Sequence, residues 1–285
     1  MDSTKELLKR PYIIPQRQDG YYLIRIRSVA GDLTSEELAV ISRVAEKYGK
    51  GVIHITTRQG CEIHNIQLDK LADAVGELEQ AGILMGAGGP RVRTVMACPG
   101  SATCRNGIID TKELSRRLDE HYFGRDAGKF KIAVCGCPNN CTKVMINDAG
   151  IMGGVVPEWD ADKCTDCGRC RVSCPTGAIT SNDSGVYTRQ EDLCIMCGQC
   201  IRNCPEDAWQ VKEKGYLLFL GGTMGKKPKM GERVQTLIKD EEELFHYLDK
   251  ALEYFKEHGK RKERFGYTLE RMGVKKFESD VLGRK

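Results

Sequence analysis

Between Pro157 and Lys214 one cysteine pattern occurs twice. Cys164, Cys167, Cys170 and Cys174, followed by Pro175 and Ala178, recur thirty residues later as Cys194, Cys197, Cys200 and Cys204, followed by Pro205 and Ala208. Each half reads C-x2-C-x2-C-x3-C-P. Three thiolates on one tight loop can wrap three corners of a metal cluster, while the fourth begins a helix that points elsewhere. Disulfide bridging is the competing reading, and the crowding of four cysteines into eleven residues argues against it. A duplicated unit this short cannot bury a core of its own and needs its metal for stability. A pair of zinc sites fits the spacing and the following proline less well.

The run resembles bacterial two-cluster ferredoxins, in which the fourth cysteine of each motif ligates the other cluster. The resemblance implies one [4Fe–4S] cluster on Cys164, Cys167, Cys170 and Cys204. It implies a second on Cys194, Cys197, Cys200 and Cys174. Such a module says only that electrons pass through it.

Four of the remaining six cysteines form two pairs, Cys98 with Cys104 (C-x5-C) and Cys137 with Cys141 (C-x3-C, within Gly136-Cys137-Pro138-Asn139-Asn140-Cys141). In this order and with these neighbours they resemble the sirohaem-[4Fe–4S] signature of the sulfite and nitrite reductase family. Ile55-Thr56-Thr57-Arg58-Gln59 resembles the Thr-Thr-Arg-Gln stretch of that family, and Gly221-Gly222-Thr223-Met224-Gly225-Lys226 its Gly-Gly-x-x-Gly loop. The short chain with an inserted ferredoxin is most similar to the C-subunit type of anaerobic sulfite reductase and to small dissimilatory-type relatives.

The resemblance implies a third [4Fe–4S] cluster on Cys98, Cys104, Cys137 and Cys141, with Cys141 bridging to the sirohaem iron. Thr57, Asn139, Gly221, Gly222, Gly225 and Lys226 are then expected at the macrocycle. Sulfite is a small oxyanion, and the family's cationic set falls on Arg58, Arg93, Lys129 and Lys131. The two lysines are two apart in a segment read as a strand, so they share a face opposite Phe130, Ile132 and Val134. Arginine offers fixed planar donors, and lysine a point charge able to deliver a proton. A solvated strand edge also often carries lysine, which is the bland reading of the pair. Cys61 and Cys135 are left over and read as small buried hydrophobes, although Cys135 shares the lysines' face. His54 and His64 read as packed structural residues.

Along the chain, Tyr21–Ile26, Val52–Thr57 and Glu62–Ile66 read as strands. Thr34-Ser35-Glu36-Glu37 has the form of a capping box opening a helix that Gly49 ends, and a second helix spans Leu68–Ala81. Val92–Ala97 and Lys129–Cys135 read as strands, Lys112–His121 as a helix, and Tyr216–Leu220 as a strand before C-terminal helices. The expected class is α+β. A ferredoxin-like half-domain would occupy residues 1–88 and a sirohaem/[4Fe–4S] domain residues 89–156 and 214–285, with the two-cluster ferredoxin module inserted at 157–213.

The 285 residues are 40% hydrophobic and 29% charged, as in a soluble globular protein, and the formal charge of +4 is mild. Nothing resembles a nucleic-acid-reading module, no apolar run is long enough for a membrane span, and the charged start lacks the core of a secretory signal. A cytoplasmic location is therefore expected. The reading is a reductase taking sulfite to sulfide with six electrons from a ferredoxin or a reductase subunit. The same chemistry on nitrite is the nearest alternative, and a non-catalytic iron–sulfur subunit is the alternative from another class. Larger members of the family carry two copies of the reductase repeat and divide the cations and the cluster cysteines between them. This chain has one copy with both sets, which points to a homodimer with sites shared between chains.

Overall fold

The computed structural model describes residues 2–234, 237–273, 276–277 and 279. The first unit holds α1 (Asp2–Leu8), β1 (Ile13–Pro15), β2 (Tyr21–Ile26), α2 (Ser35–Tyr48), β3 (Ile53–Ile55), β4 (Cys61–Gln67) and α3 (Leu71–Gln80). Its strands form an antiparallel sheet in the order β1-β2-β4-β3. The expected capping box opens α2: the Glu37 N–H donates to Thr34 Oγ1 (3.1 Å) and the Thr34 N–H to Glu37 Oε2 (2.7 Å). Ile41, Val44 and Ala45 of α2, with Leu71, Ala74, Val75 and Leu78 of α3, cover Ile24, Ile26, Ile63 and Ile66 of the sheet. Cys61 is buried in this core, which pushes its thiol up to about 11, so it behaves as a small hydrophobe. His54 is exposed and not packed as expected, while His64 faces Glu62 at 3.0 Å.

The second unit is built on β5 (Met96–Ala97), α4 (Thr111–Tyr122), β6 (Ile132–Cys135) and β7 (Ala149–Trp159). After β7 comes the cysteine-rich stretch, with α5 (Arg169–Ser173), β8 (Ile179–Ser181), β9 (Tyr187–Arg189) and α6 (Gln199–Arg202). The chain then returns through β10 (Trp209–Leu220), β11 (Glu232–Arg233), α7 (Glu241–His258) and α8 (Phe265–Met272). The sheet order is β11-β10-β7-β6-β5, with β5, β6 and β7 parallel and β10 antiparallel to both neighbours. Asp110 opens α4 by accepting from the Lys112 and Glu113 N–H groups, and Asp240 opens α7 by accepting from Glu243 N–H. Leu114, Leu118, Leu244, Leu248, Phe255 and Phe265 from the helices bury Phe130, Ile132, Val134, Ile151 and Leu218. The other face of β6 and β7 carries Ala133, Cys135 and Met152 into a smaller core with Cys98 and Met196.

Several elements differ from expectation. Val92–Ala97 is a strand only at Met96–Ala97, and Val92 makes an isolated bridge to Phe130. β6 begins at Ile132, because the Lys131 N–H donates to the Asp148 carboxylate at 2.9 Å instead of to a ladder. β7 was not legible at all, yet with β10 it forms the longest ladder, running from Ala149↔Leu220 to Trp159↔Trp209. The cysteine-rich stretch hangs from the Trp159/Trp209 end of that ladder. Among the described residues no helix is long and apolar enough to cross a membrane.

Candidate functional site

The parallel strands β5 and β6 have chemically different ends. Cys98 follows β5, Cys135 ends β6 and Cys137 follows it, so sulfurs collect at the carboxyl ends, where α/β sheets place their ligand sites. Thr142 Oγ1 donates to the Val134 carbonyl and Val144 N–H to Asn140 Oδ1, folding the loop that carries Cys141 back under the strand. Charge interactions link Cys137 and Cys141 to each other, to Cys104 and to Cys135. Cys98 and Cys137 are buried, Cys104 is half-buried, and Cys141 is exposed. Within this quartet Cys141 is the thiol that faces outward, as a ligand shared with a second group requires.

Cys135 is a fifth sulfur in this group, which the sequence reading missed. It shares the strand face of Lys131, as expected, but stands at the far end of that face, where a hydrogen bond with Cys98 pushes the Cys98 thiol up and pulls the Cys135 thiol down. Gly136 N–H also donates to Cys98 Sγ at 3.0 Å. The only signal for Cys135 was its place two residues before Cys137.

In the cysteine-rich stretch, Cys164, Cys167, Cys170 and Cys204 line one small cavity, with Tyr187 and Trp209. Cys174, Cys194, Cys197 and Cys200 interact electrostatically as a second set. The fourth cysteine of each motif thus sides with the other motif's three. Gly168 (φ 71°) and Gly198 (φ 70°) occupy the same place in the two motifs, where the left-handed backbone turns each loop into its helix. The repeat extends to the donors: Ala178 N–H points to Cys174 Sγ (3.3 Å) and Ala208 N–H to Cys204 Sγ (3.2 Å). Burial raises Cys174, but the N–H groups of Thr176, Ala178 and Ile179 outweigh it and hold the thiol below its usual value. N–H groups aimed at sulfur suit thiolate ligands of an iron–sulfur cluster. Among the described residues no three or more His, Cys, Asp or Glu converge on a single metal ion, whereas a cubane spreads its four thiolates over four irons.

At the amino ends of β5 and β6 lies the second feature, a cavity of about 190 Å³ lined by Arg25, Arg58, Arg93, Lys129 and Lys131, with Thr57 at its wall and Glu62 as its carboxylate. All four expected cations meet here, and Arg25 is an addition. Glu62 is engaged by Arg25 (2.7 Å) and His64, so the surplus is positive. The arginines are committed: Arg58 donates to the carbonyls of Thr94 (2.5 Å) and Ile132 (2.7 Å) and to Asn147 Oδ1 (2.7 Å), and Arg93 to the carbonyls of Ala87 and Gly89. Among the described residues neither lysine ammonium has a hydrogen-bond or ion-pair partner, which leaves Lys129 and Lys131 as the free cations. Burial, then Arg58, Arg264 and Lys129, pull Lys131 down to about 8. Behind the cavity Asp148, fully buried, pairs with Arg264 at 2.6 Å. Arg264 was hidden in a Lys/Arg-rich stretch with no spacing to single it out. The positive surplus, and Arg93 Nε and Arg264 Nε buried without acceptors, fit a polyanionic macrocycle and an oxyanion.

Four residue steps of extended chain lead from Lys131 to Cys135, or about 13 Å at the rise of a strand. The cations and the sulfurs therefore stand at opposite ends of the same short strands. Gly221 and Gly222 pack near the cationic end, where Gly221 N–H donates to the Asp148 carbonyl. A Cβ on Gly222 would lie 2.2 Å from the Met145 carbonyl. Gly225 and Lys226 are exposed at the tip of a small hairpin closed by Thr223 and Lys229, and Asn139 is exposed between Cys137 and Cys141; none of the three lines the cavity.

The model of the nitrite and sulphite reductase 4Fe-4S domain matches residues 88–285. That of the nitrite/sulfite reductase ferredoxin-like half domain matches 14–81. The chain is 39% identical over 272 residues to the coenzyme F420-dependent sulfite reductase of Methanocaldococcus jannaschii, spanning 94% of this chain but only 43% of that protein. It is 31% identical to the C subunit of the anaerobic sulfite reductase of Salmonella typhimurium, covering 99% of this chain and 89% of the relative. Its fold is similar to the crystal structure of dissimilatory sulfite reductase I, with a TM-score of 0.76 at 24% identity over 93% of this chain and 69% of that one.

Proposed function

The chain belongs to the nitrite and sulfite reductase family, and on that premise we propose that it is a sirohaem-dependent sulfite reductase carrying out the six-electron reduction of sulfite to sulfide. The observation that carries the reading is the pairing of an outward-facing Cys141 beside more buried sulfurs with a cavity holding two lysines that have no partner among the described residues. When bound, sirohaem would supply the iron at which sulfite accepts electrons and loses oxygen. Cys98, Cys104, Cys137 and Cys141 would hold the adjoining cluster, Cys141 would be shared with the sirohaem iron, and the arginine-rich wall would meet the macrocycle's carboxylates. Lys129 and Lys131 would bind the anion, each worth about 4 kcal/mol at 4 Å and an effective dielectric of 20. Lys131, pulled down to about 8, holds its proton loosely enough to pass it on near neutral pH.

The cysteine-rich module would hold two further [4Fe–4S] clusters, three in all, and relay electrons from a ferredoxin or reductase subunit in the cytoplasm. Residues 1–88 would form the half-domain, with the module at 157–213 set into the reductase domain. We also propose a two-fold homodimer, each site taking its cluster from one chain and its lysines from the other, as the separation along β5 and β6 favours. β3, one of the two edge strands of the first sheet, supports this: Ile55 on it is 68% exposed and directly precedes the Thr56–Arg58 wall of the cavity.

The test is anaerobic purification, an optical spectrum with iron and sirohaem quantified, and side-by-side rates on sulfite and nitrite. Sirohaem absorption with faster sulfite turnover is expected, and Cys141→Ser should lose or uncouple the sirohaem. Clusters without sirohaem would make the chain an electron-transfer subunit, and faster nitrite turnover would change the substrate.

A further inference from the structure

The two ends of the cysteine-rich module face different surroundings. At the inner end, Met196 of the second motif accepts from Val155 N–H (2.9 Å) and buries its side chain with Met96, Cys98, Cys135 and Met152. Cys194 packs against the same group. The set Cys174, Cys194, Cys197 and Cys200 therefore abuts the sulfurs at the ends of β5 and β6. At the outer end Cys167 is exposed, and with Cys204 it borders an open groove of about 550 Å³. Arg169 and Arg202 are its charged lining, with no carboxylate among them, and Val172 stands in it 87% exposed. Acidic residues outnumber basic ones across the module as a whole, so this basic groove is a local exception. Arg202 is partly structural, donating to the Cys197 carbonyl at 2.8 Å. Arg169 has no hydrogen-bond or ion-pair partner among the described residues.

We infer that this groove is the docking face for an acidic one-electron carrier protein. Its electrons enter at the Cys164/Cys167/Cys170/Cys204 cluster and pass inward through the Cys174/Cys194/Cys197/Cys200 cluster. The inference rests on the two-cluster reading above. Each encounter oxidises the carrier by one electron and reduces the outer cluster by one, and no bond or proton changes hands. An exposed apolar side chain in a groove with two arginines, beside an exposed ligand, is what such an encounter needs: charge to steer, and a small dry contact to hold the complex briefly. The other role open to the arginines is to offset the negative charge of the cluster, which would set its potential and not its partner.

The experiment compares the holoenzyme with Arg169→Glu/Val172→Glu and with Arg169→Lys, leaving the Arg202 contact intact. The probe is a bacterial two-cluster ferredoxin of net negative charge, its oxidised form titrated calorimetrically and its reduced form mixed in stopped flow. The double variant is expected to bind about tenfold or more weakly at low ionic strength, with the bimolecular rate of cluster reduction falling in parallel. Arg169→Lys should stay within about twofold of the parent, since it keeps the charge. Reduction by methyl viologen radical, the iron content and the cluster potentials should not fall in either variant. Unchanged ferredoxin affinity would overturn the inference, as would a rate loss that follows a shifted cluster potential. Parent protein lacking the module's iron would instead sink the two-cluster reading itself.

Discussion

Lys131 carries its charge only while its pKa of about 8, set by burial and the neighbouring Arg58, Arg264 and Lys129, lies above the pH. Below that value the ammonium can hold an oxyanion and give up a proton; above it the amine does neither. The alkaline limb of kcat/KM for sulfite should therefore fall with an apparent pKa near 8. In Lys131→Arg the limb should move to higher pH, because guanidinium keeps its proton throughout, and a limb left in place would exclude Lys131 as its origin. The fifth sulfur makes a second prediction. If Cys98, Cys104, Cys137 and Cys141 are the ligands and Cys135 only their hydrogen-bonding neighbour, Cys135→Ala should retain the parent's iron. Cys104→Ala should lose about four irons per chain. Loss of a cluster from Cys135→Ala would show that the ligand set was misassigned. At this scale the cysteine spacings were legible because ligands of one cluster are held by short loops, so their chemistry is written in local order. Cys135 was not, since a lone extra thiol on a strand reads like any small buried residue. Nor was the commitment of Arg58 and Arg93 to carbonyls, because an arginine that clamps backbone has the same sequence signature as one that binds an anion.

The loop after β10 shows how an element can be required for two different reasons. Gly222 has no room for a side chain: a Cβ would meet the carbonyls of Met145 and Asn147 at 2.2 and 2.6 Å, and both lie in the segment that leads out of the Cys141 loop. Gly225 has nothing within 4 Å. Gly222→Ala should therefore destabilise the fold by about 1–3 kcal/mol through forced backbone displacement. Gly225→Ala should leave thermal stability unchanged and lower sirohaem content only if the loop closes on the macrocycle. A stable, fully loaded Gly225→Ala protein would remove Gly225 from the cofactor contacts. Element by element, α2 was legible through its cap, α4 through its leucine spacing, and β2 and β4 through alternation; α1 was not, and α5 and α6 carry the third cysteine of each motif and end before Cys174 and Cys204, where the sequence suggested that a helix begins. β7 escaped because Gly150, Gly153 and Gly154 dilute its β-branched character. Those glycines have a physical reason in the fold: a Cβ on Gly153 would press on the Gly136 carbonyl at 2.5 Å, beside Cys135 and Cys137. A strand bared to let the sulfur-bearing loop approach looks, in sequence, like a loop.

For the whole molecule the decisive distance is the one along β5 and β6. Arg58 and Gln59 tie the first unit to the second: Arg58 reaches Thr94, Ile132 and Asn147, and Gln59 exchanges two hydrogen bonds with Ala97 (2.7 and 2.8 Å) immediately before Cys98. Arg27 adds a buried pair with Asp119 (3.4 Å) and stacks on Phe123 at 3.7 Å. With the two units so fastened, the cationic cavity and the sulfurs of one chain are held at opposite ends of β5 and β6. A second copy turned about a two-fold axis can present its lysines to the first chain's Cys141, and the return contact follows by symmetry. Mixed dimers distinguish the arrangements. Cys141→Ser and Lys129→Met/Lys131→Met proteins, each with negligible turnover, are co-expressed and purified together. If sites are shared, a mixed dimer contains one site with both defects and one with neither. Random pairing makes half the dimers mixed, so about one quarter of the parent activity should return. If each chain completes its own site, every site in the mixed dimer carries one defect and no activity returns. Sedimentation of the parent as an active monomer would rule out shared sites by a separate route.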